Sequence, residues 1–449
     1  MKANKFLAFN RNTLSVVLLL LLLGRLSSAA TENVLVKFKD GPNGKYPNSS
    51  LIFDDQGNLY GSASEGGTGN CTGIDGPQSN CGVVFKLTPF GSGWTETVLY
   101  SFKGGADGFS PNLGMVFDAA GNLYGITNSD VFGSPGSNNC GEVFKLTPTP
   151  VGEWSKTTLH NFDGGQDGCL PSSTPVLDKA GNVYGVTEFG GAATTKNCIN
   201  ISRKSGCGIV YQLTPKQGGG WSERILHRFQ DLQDGGLPAS GDLAFDSSGR
   251  LWGTTAYGGN LAACTGTGGC GVLFYLAPGK NGQWTRTVVH TFAGGTADGR
   301  QPQAVTVDPA GNVFVTAAVG TTTANGGLFE FSPKAGGGFS ESPITPILLN
   351  GGSGLPAHVI IDPSGNLFGI VPFGNRFCAC GDVYEMSPNG NGTWTQTILY
   401  KFKGKGDGLW PLGDALVRDS SGNLYGTALR GGNVAGGDQG DGAVFKITP

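Results

Sequence analysis

Charge is scarce in this 449-residue chain: Lys+Arg number 30 and Asp+Glu 33, so 14 % of residues are charged and the net charge is -3. That balance argues against a nucleic-acid partner, whose phosphates call for a basic face. No G-x-S-x-G, H-E-x-x-H or P-loop sequence occurs, so no standard nucleophile, zinc-protease or nucleotide motif is on offer. Past residue 30, no apolar run reaches the roughly 20 residues that a membrane span needs. Glycine is what the chain has in excess, with 79 Gly beside 24 Pro and no collagen-like period. With 26 Phe, 11 Tyr and 7 Trp there is ample bulk for a core. A turn-rich all-β fold is the class this composition favours.

The first thirty residues read as a leader. Lys2, Lys5 and Arg11 precede an apolar run from Val16 to Leu23, and Ser27, Ser28, Ala29 and Ala30 supply small residues before Thr31. This is the three-part pattern of a secretory signal peptide over 1–30, cut after Ala30, and its apolar run is too short to span. A protein secreted, periplasmic or at the cell surface is expected, monomeric and without a membrane span after cleavage.

The remainder, 31–449, repeats itself. Seven segments carry Asp-x-x-Gly-[Asn/Arg] before a hydrophobic and an aromatic residue, starting at Asp54, Asp118, Asp178, Asp246, Asp308, Asp362 and Asp419, about 61 residues apart. Each unit holds four short strands bounded by Gly, Pro and Asn. Strand A precedes the Asp; strand B follows Gly-Asn, as in Leu59-Tyr60-Gly61. Strand C is GVVFKLTP at 82–89 and its six counterparts, each stopped by a Pro that cannot donate to a ladder. Strand D starts on an aromatic, as in WTETVLYSF at 94–102. The fifth unit departs, with Phe339 for Trp and Pro343 and Pro346 in its strand D. The seventh unit runs only to its strand C, and residues 32–38 match the missing strand D. A single seven-bladed β-propeller of four-stranded antiparallel blades, closed by the N-terminal strand, is predicted.

The strings GNLYG, GVVFKLTP and WTETVLYSF resemble the tandem repeat called Gloeo/Verruco (GloVer) across residues 34–449. The resemblance implies an exported bacterial repeat protein. Some members carry a separate surface-anchoring tail, and a chain running only to strand C of its last unit departs from that form. It supplies no catalytic residues to carry over.

The repeated polar residues read first as scaffold. Asp at the head of each Asp-x-x-Gly turn can bond a backbone N–H two residues on, with Gly in the left-handed position; Ca²⁺ is the weaker reading, and no cofactor is expected. Asp107, Asp167, Asp234, Asp298 and Asp407, with Asn43 in the first unit, form a second set of turns between strands D and A. His160, His227 and His290 share one strand D position with Tyr100 and Tyr400; on separate blades they cannot converge on one metal. Asn48, Asn70, Asn200 and Asn391 stand in N-x-S/T sequons. Cys81, Cys140, Cys207, Cys270 and Cys380 each precede the Gly that opens strand C. Placement predicts Cys71–Cys81, Cys198–Cys207, Cys264–Cys270 and Cys378–Cys380 within B–C loops, and Cys140–Cys169 between blades two and three. An exported chain favours these disulfides over a zinc site.

Two functions stay open. The expected one is a non-catalytic binding module for an extracellular glycan, peptide or surface protein, acting through the face of the B–C and D–A loops. There Glu65, Phe189, Tyr257, Phe373 and Arg430 vary at one position after strand B, and Trp410 lies just before a strand A. Aromatics beside charges suit sugar rings or peptides. The alternative is a propeller enzyme, a glycan lyase, hydrolase or lactonase, at the mouth of the central channel, where strand A offers Asp242 and His358.

Overall fold

The computed structural model describes residues 30–449 except 40, 74–75, 78–79, 128–139, 192–205, 231–233, 239–241, 265–267, 320–325, 345–357, 375–377, 405, 414 and 433–439. The leader expected over 1–30 therefore lies, but for Ala30, outside the described residues. The rest is a seven-bladed propeller of four-stranded antiparallel sheets. Blade four is representative: strand A is Ala244–Phe245, B Leu251–Thr255, C Val272–Pro278 and D Trp284–Thr291, paired in that order. In blades one and three strand A is split into two short pieces. The predicted closure is present. Thr31–Lys37 pairs antiparallel with Ala443–Thr448, so the N-terminal strand is strand D of blade seven. Blade five keeps a shortened strand D, Phe339–Pro343.

Burial follows the layering. Strand B is buried on both faces, since neighbouring blades cover its two sides. Strand D, at the free edge, alternates between half-buried and exposed residues. The strand B glycine of GNLYG is required by close approach: a Cβ at Gly61 would lie 2.7 Å from the Phe85 ring, and one at Gly125 2.6 Å from the Phe144 ring. These rings come from strand C of the same blade and fill the clusters between neighbouring blades.

Blades join through aromatic contacts repeated around the ring. The strand B aromatic of one blade meets strands A and D of the next: Tyr60 against Phe117 and Trp154, Tyr184 against Phe245 and Trp284, Tyr425 against Phe53 and Trp94. The last of these joins blade seven to blade one. The same tyrosine hydroxyl bonds the Asp-x-x-Gly turn of its own blade, Tyr60 to Asp54 at 2.9 Å, while Asp54 also accepts from the backbone of Gln56 and Asn58 and the Asn58 side chain. Burial works against ionisation of Asp54, but these donors outweigh it and hold the carboxyl below its usual range. At Asp246, donors from Ser248, Trp252 and Arg250 overcome burial and bring it to about 2. The turns are structural pieces, as their spacing predicts.

A second seam was not anticipated. Each described blade entry after strand D has a residue followed by Pro, and that residue has left-handed φ: Tyr46 58°, Ser110 53°, Leu170 63°, Leu237 52°, Gln301 54° and Trp410 56°. Such a conformation costs roughly 1–2 kcal/mol outside glycine. In return its N–H reaches the preceding blade, as Ser110 to the Cys81 carbonyl at 2.8 Å and Leu170 to Cys140 at 2.8 Å. The following Pro then lies on the Gly that opens strand C there. A Cβ at Gly82 (φ +92°) would stand 2.5 Å from Pro111 Cδ and 2.7 Å from the Ala63 carbonyl. Gly82→Ala is therefore expected to cost at least about 3 kcal/mol, from overpacking added to the left-handed penalty. Gly57→Ala, also left-handed at +80° but with nothing within 4 Å, should cost only about 1–2 kcal/mol. Thermal unfolding of the two variants side by side checks this.

Candidate functional site

Three groups of residues could carry function, and each is set by a different part of the blade: the channel, the face of the B–C and D–A loops, and the outer junctions between strands D.

Strands A of neighbouring blades bond to one another, which places them at the inner ring. Ala415 N–H donates to Ser50 Oγ, Gly114 N–H to Thr174 Oγ1 at 3.0 Å, and Thr174 N–H to Asp242 Oδ1 at 2.9 Å. Asp242 is thus a link between blades three and four. His358, at the head of strand A of blade six, bonds through Nε2 to the Val305 carbonyl at 2.9 Å and lies 3.1 Å from Thr306 Oγ1, both in blade five. A carbonyl can only accept, so Nε2 carries the proton and Nδ1 keeps its lone pair. Nδ1 has no hydrogen-bond partner among the described residues. The two channel candidates of the sequence are not brought together.

On the loop face, the six candidate residues separate. Phe373 and Trp410 meet, with ring centroids 6.0 Å apart, and both are half-buried. Trp410 is held by its left-handed backbone and by its N–H on the Cys380 carbonyl, 3.1 Å. Arg430 lies with its guanidinium 3.9 Å over the Tyr46 ring and bonds the Tyr46 hydroxyl. Tyr257 packs between the clusters of blades two to three and three to four. Glu65 (3 % exposed) and Phe189 (6 %) are buried instead, because the end of strand B is paired with the first strand A piece of its own blade, Lys45 with Glu65 and Cys169 with Phe189.

The disulfides Cys71–Cys81, Cys140–Cys169, Cys264–Cys270 and Cys378–Cys380 are formed. Cys140–Cys169 crosses from blade two to blade three, as predicted. Cys207 is disulfide-bonded, and Cys198 lies outside the described residues. No described cysteine is free, which fits an oxidising compartment. Among the described residues no helix is long and apolar enough to cross a membrane.

The outer junctions were missed in sequence. Each strand D His or Tyr bonds the Asp of the following D–A loop: Tyr100 to Asp107 at 2.6 Å, His160 to Asp167 at 3.1 Å, His227 to Asp234 at 3.0 Å, His290 to Asp298 at 2.7 Å and Tyr400 to Asp407 at 2.9 Å. A third residue arrives from strand D of the next blade, the second after the opening aromatic in Lys156, Glu223, Arg286 and Glu341, and the residue of matching register, Glu32, in blade seven. The only sequence signal for it was this variable place, WTE, WSK, WSE, WTR, FSE and WTQ in turn.

The third residue sets the electrostatics. Where it is Arg286, burial and that guanidinium push His227 down to about 4. Burial and the neighbouring Asp163 push Asp167 up to about 7; burial, then Asp167, do the same to Glu223. At His290 burial is outweighed by Asp298 and Glu341, and the imidazole is raised. At the junction of blades seven and one, burial pushes Glu96 up to about 7, with only a 3.5 Å contact to Asn43 Nδ2 to favour its charge.

A seven-bladed propeller with disulfide-pinned loops and one disulfide between blades is the class these features define. The chain belongs to the Gloeobacter/Verrucomicrobia repeat family, whose pattern matches residues 23–260 and 262–449. No curated protein matches it. Among solved structures it is similar to a gluconolactonase from Xanthomonas campestris, with 14 % identity and a TM-score of 0.41 over 84 % of this chain and 92 % of that one. It is likewise similar to a luciferin-regenerating enzyme, with 14 % identity and a TM-score of 0.42 over 75 % and 90 %. At that identity the likeness is one of fold. Both of these solved propellers are described as enzymes, so the comparisons lend no support to the expectation of a non-catalytic binding module, which is withdrawn.

The raised Glu96 gives a pH test. A carboxyl with a folded pKa of about 7 against an ordinary 4.5 binds more protons folded than unfolded between those values. Its contribution to stability therefore falls as pH rises from 4.5 through 7. Glu96→Gln should flatten that part of the profile and melt higher than the parent protein at pH 8. Melting temperatures of both proteins from pH 4 to 8 decide it.

Proposed function

We propose that the protein is an exported propeller enzyme, a hydrolase or lactonase acting on a sugar-derived substrate at the channel mouth. His358 carries the reading. A general base needs an oriented imidazole with a free lone pair, and the Val305 carbonyl holds Nε2–H so that Nδ1 is the basic nitrogen. A water admitted to the buried Nδ1 would attack the carbonyl carbon of an ester or lactone as its proton passes to His358; the tetrahedral adduct then breaks its C–O bond to the leaving oxygen, which takes that proton back from His358. The Phe373–Trp410 pair supplies an aromatic platform on the loop face for a sugar ring, with Tyr257 and Arg430 on the same face as further contacts. Export rests on the leader at 1–30 and fits the disulfides, and the enzyme is proposed to act as a monomer outside the cytoplasm.

The test is turnover of a panel of aldonolactones, sugar esters and polysaccharides. His358→Gln keeps an amide donor for Val305 and should lower kcat by about 100-fold or more, with little change in melting temperature; Trp410→Ala should chiefly raise KM. Absence of turnover on the whole panel, or full activity of His358→Gln, would overturn the proposal.

A further inference from the structure

The outer junctions contain an internal comparison. At the junction of blades three and four, His227 Nε2 and the Asp234 carboxylate converge with the guanidinium of Arg286. At the junction of blades one and two, Lys156 Nζ takes that place, 2.8 Å from Glu142 and 3.5 Å from Asp107. In both, a positive charge built into strand D sits against the carboxylate of the D–A loop. At the junction of blades two and three the same position is Glu223. There His160 Nε2 stands 3.1 Å from Asp167 Oδ2 and 3.9 Å from Glu223 Oε1, all three side chains being four-fifths buried or nearly so. A further carboxylate, Asp163, adjoins Asp167, and Arg228 is the cation facing Glu223. Glu223 Oε1, the atom aimed at His160, is buried with no hydrogen bond among the described residues.

We propose that His160, Asp167 and Glu223 bind a divalent transition metal such as Zn²⁺, which takes the place that Arg286 and Lys156 fill at the sister junctions. Three observations support the assignment. One nitrogen and two carboxylate oxygens converge on one point, with all three ligand atoms within 4.8 Å of one another. The 3.1 and 3.9 Å separations bracket the roughly 3.4 Å edge of a tetrahedron with bonds of about 2.1 Å. An imidazole beside two carboxylates suits zinc, whereas Ca²⁺ takes six to eight oxygens. The otherwise similar cluster of His290 differs, because its two carboxylates engage opposite ring nitrogens, Asp298 at Nε2 and Glu341 at Nδ1; there the imidazole itself bridges them. The proposed metal would clip the outer edges of blades two and three, the pair that Cys140–Cys169 also ties, and leave a fourth coordination position for water.

Swapping the junction chemistry tests this. EDTA-treated protein is titrated with Zn²⁺ by calorimetry, with Ca²⁺ as control, and its melting temperature is followed. The parent protein should bind Zn²⁺, and at a hundred-fold excess over Kd its melting temperature should rise by at least about 2 °C. Glu223→Arg copies the sister junction, so it should fold, bind one Zn²⁺ fewer and lose the rise. Arg286→Glu should add one site on His227 and Asp234. Co²⁺ should give the parent protein the visible absorption of a tetrahedral site, absent from Glu223→Arg and from His160→Ala. Failure of the parent protein to bind Zn²⁺, the same stoichiometry in Glu223→Arg, or a response to Ca²⁺ alone would overturn the proposal. Because the readout is binding, it stands or falls independently of any catalysis at His358.

Discussion

Everything in this propeller depends on one constraint: no blade can bury its own strand B. That strand is apolar on both sides, as at Leu251 and Trp252, and a four-stranded sheet covers neither face by itself. Burial comes only when the next blade lays its strand A and strand D aromatics over one face and the previous blade's ring covers the other. The aromatic contact between Tyr425 and Trp94 closes the ring with the same arrangement that joins the pairs from blades one and two to blades five and six. The N-terminal strand follows from this logic, since blade seven would otherwise present the unpaired edge of Ala443–Thr448 to solvent.

The seams between blades use polar chemistry with similar economy. The left-handed residue before each Pro donates to a carbonyl that, in five of the six described cases, belongs to a disulfide cysteine: Cys81, Cys140, Cys207, Cys270 and Cys380. In the sixth, Tyr46 donates to Asp441, and Lys45 pairs with the Asp441 side chain at 3.6 Å. Disulfides here fix the acceptor side of an inter-blade hydrogen bond as well as pinning a loop. That offsets the conformational cost of holding a bulky residue such as Trp410 at positive φ, and presents its side chain on the loop face in a fixed direction.

Variation within this fixed frame is where the candidate sites lie. The outer junction keeps its His or Tyr and its Asp while the third residue changes between Lys, Arg and Glu, so one geometry serves as an ion pair in one place and an anionic pocket in another. The inner ring does the same with Ser50, Thr174, Asp242 and His358, four different side chains at the start of strand A. Each of the first three accepts a backbone N–H from the blade before it. His358 differs in engaging a carbonyl through Nε2, which leaves Nδ1 buried without a hydrogen-bond partner among the described residues.

The sequence by itself determined what repeats locally. The Asp-x-x-Gly turns and the Pro at each strand C end lie within a few residues of the partners that explain them, while the strand D aromatics and the N-terminal stand-in were legible because the same pattern recurs in unit after unit, and that recurrence set the blade count. Four of the five cysteine pairings were legible too, including Cys140–Cys169, because two loops on one face of an up-and-down blade must lie close. What only the tertiary structure decided mostly involves partners from different blades. Glu223 was an ordinary strand residue until the twist of blade three brought it to His160. Within a single blade, Glu65 and Phe189 were variable residues at the end of strand B until the long-range pairing with strand A covered them. The sign of φ before each Pro is likewise absent from the residue's identity, since Tyr, Ser, Leu, Gln and Trp all adopt it. It is imposed by a carbonyl on the neighbouring blade, and a contact of that kind exists only once the ring has closed.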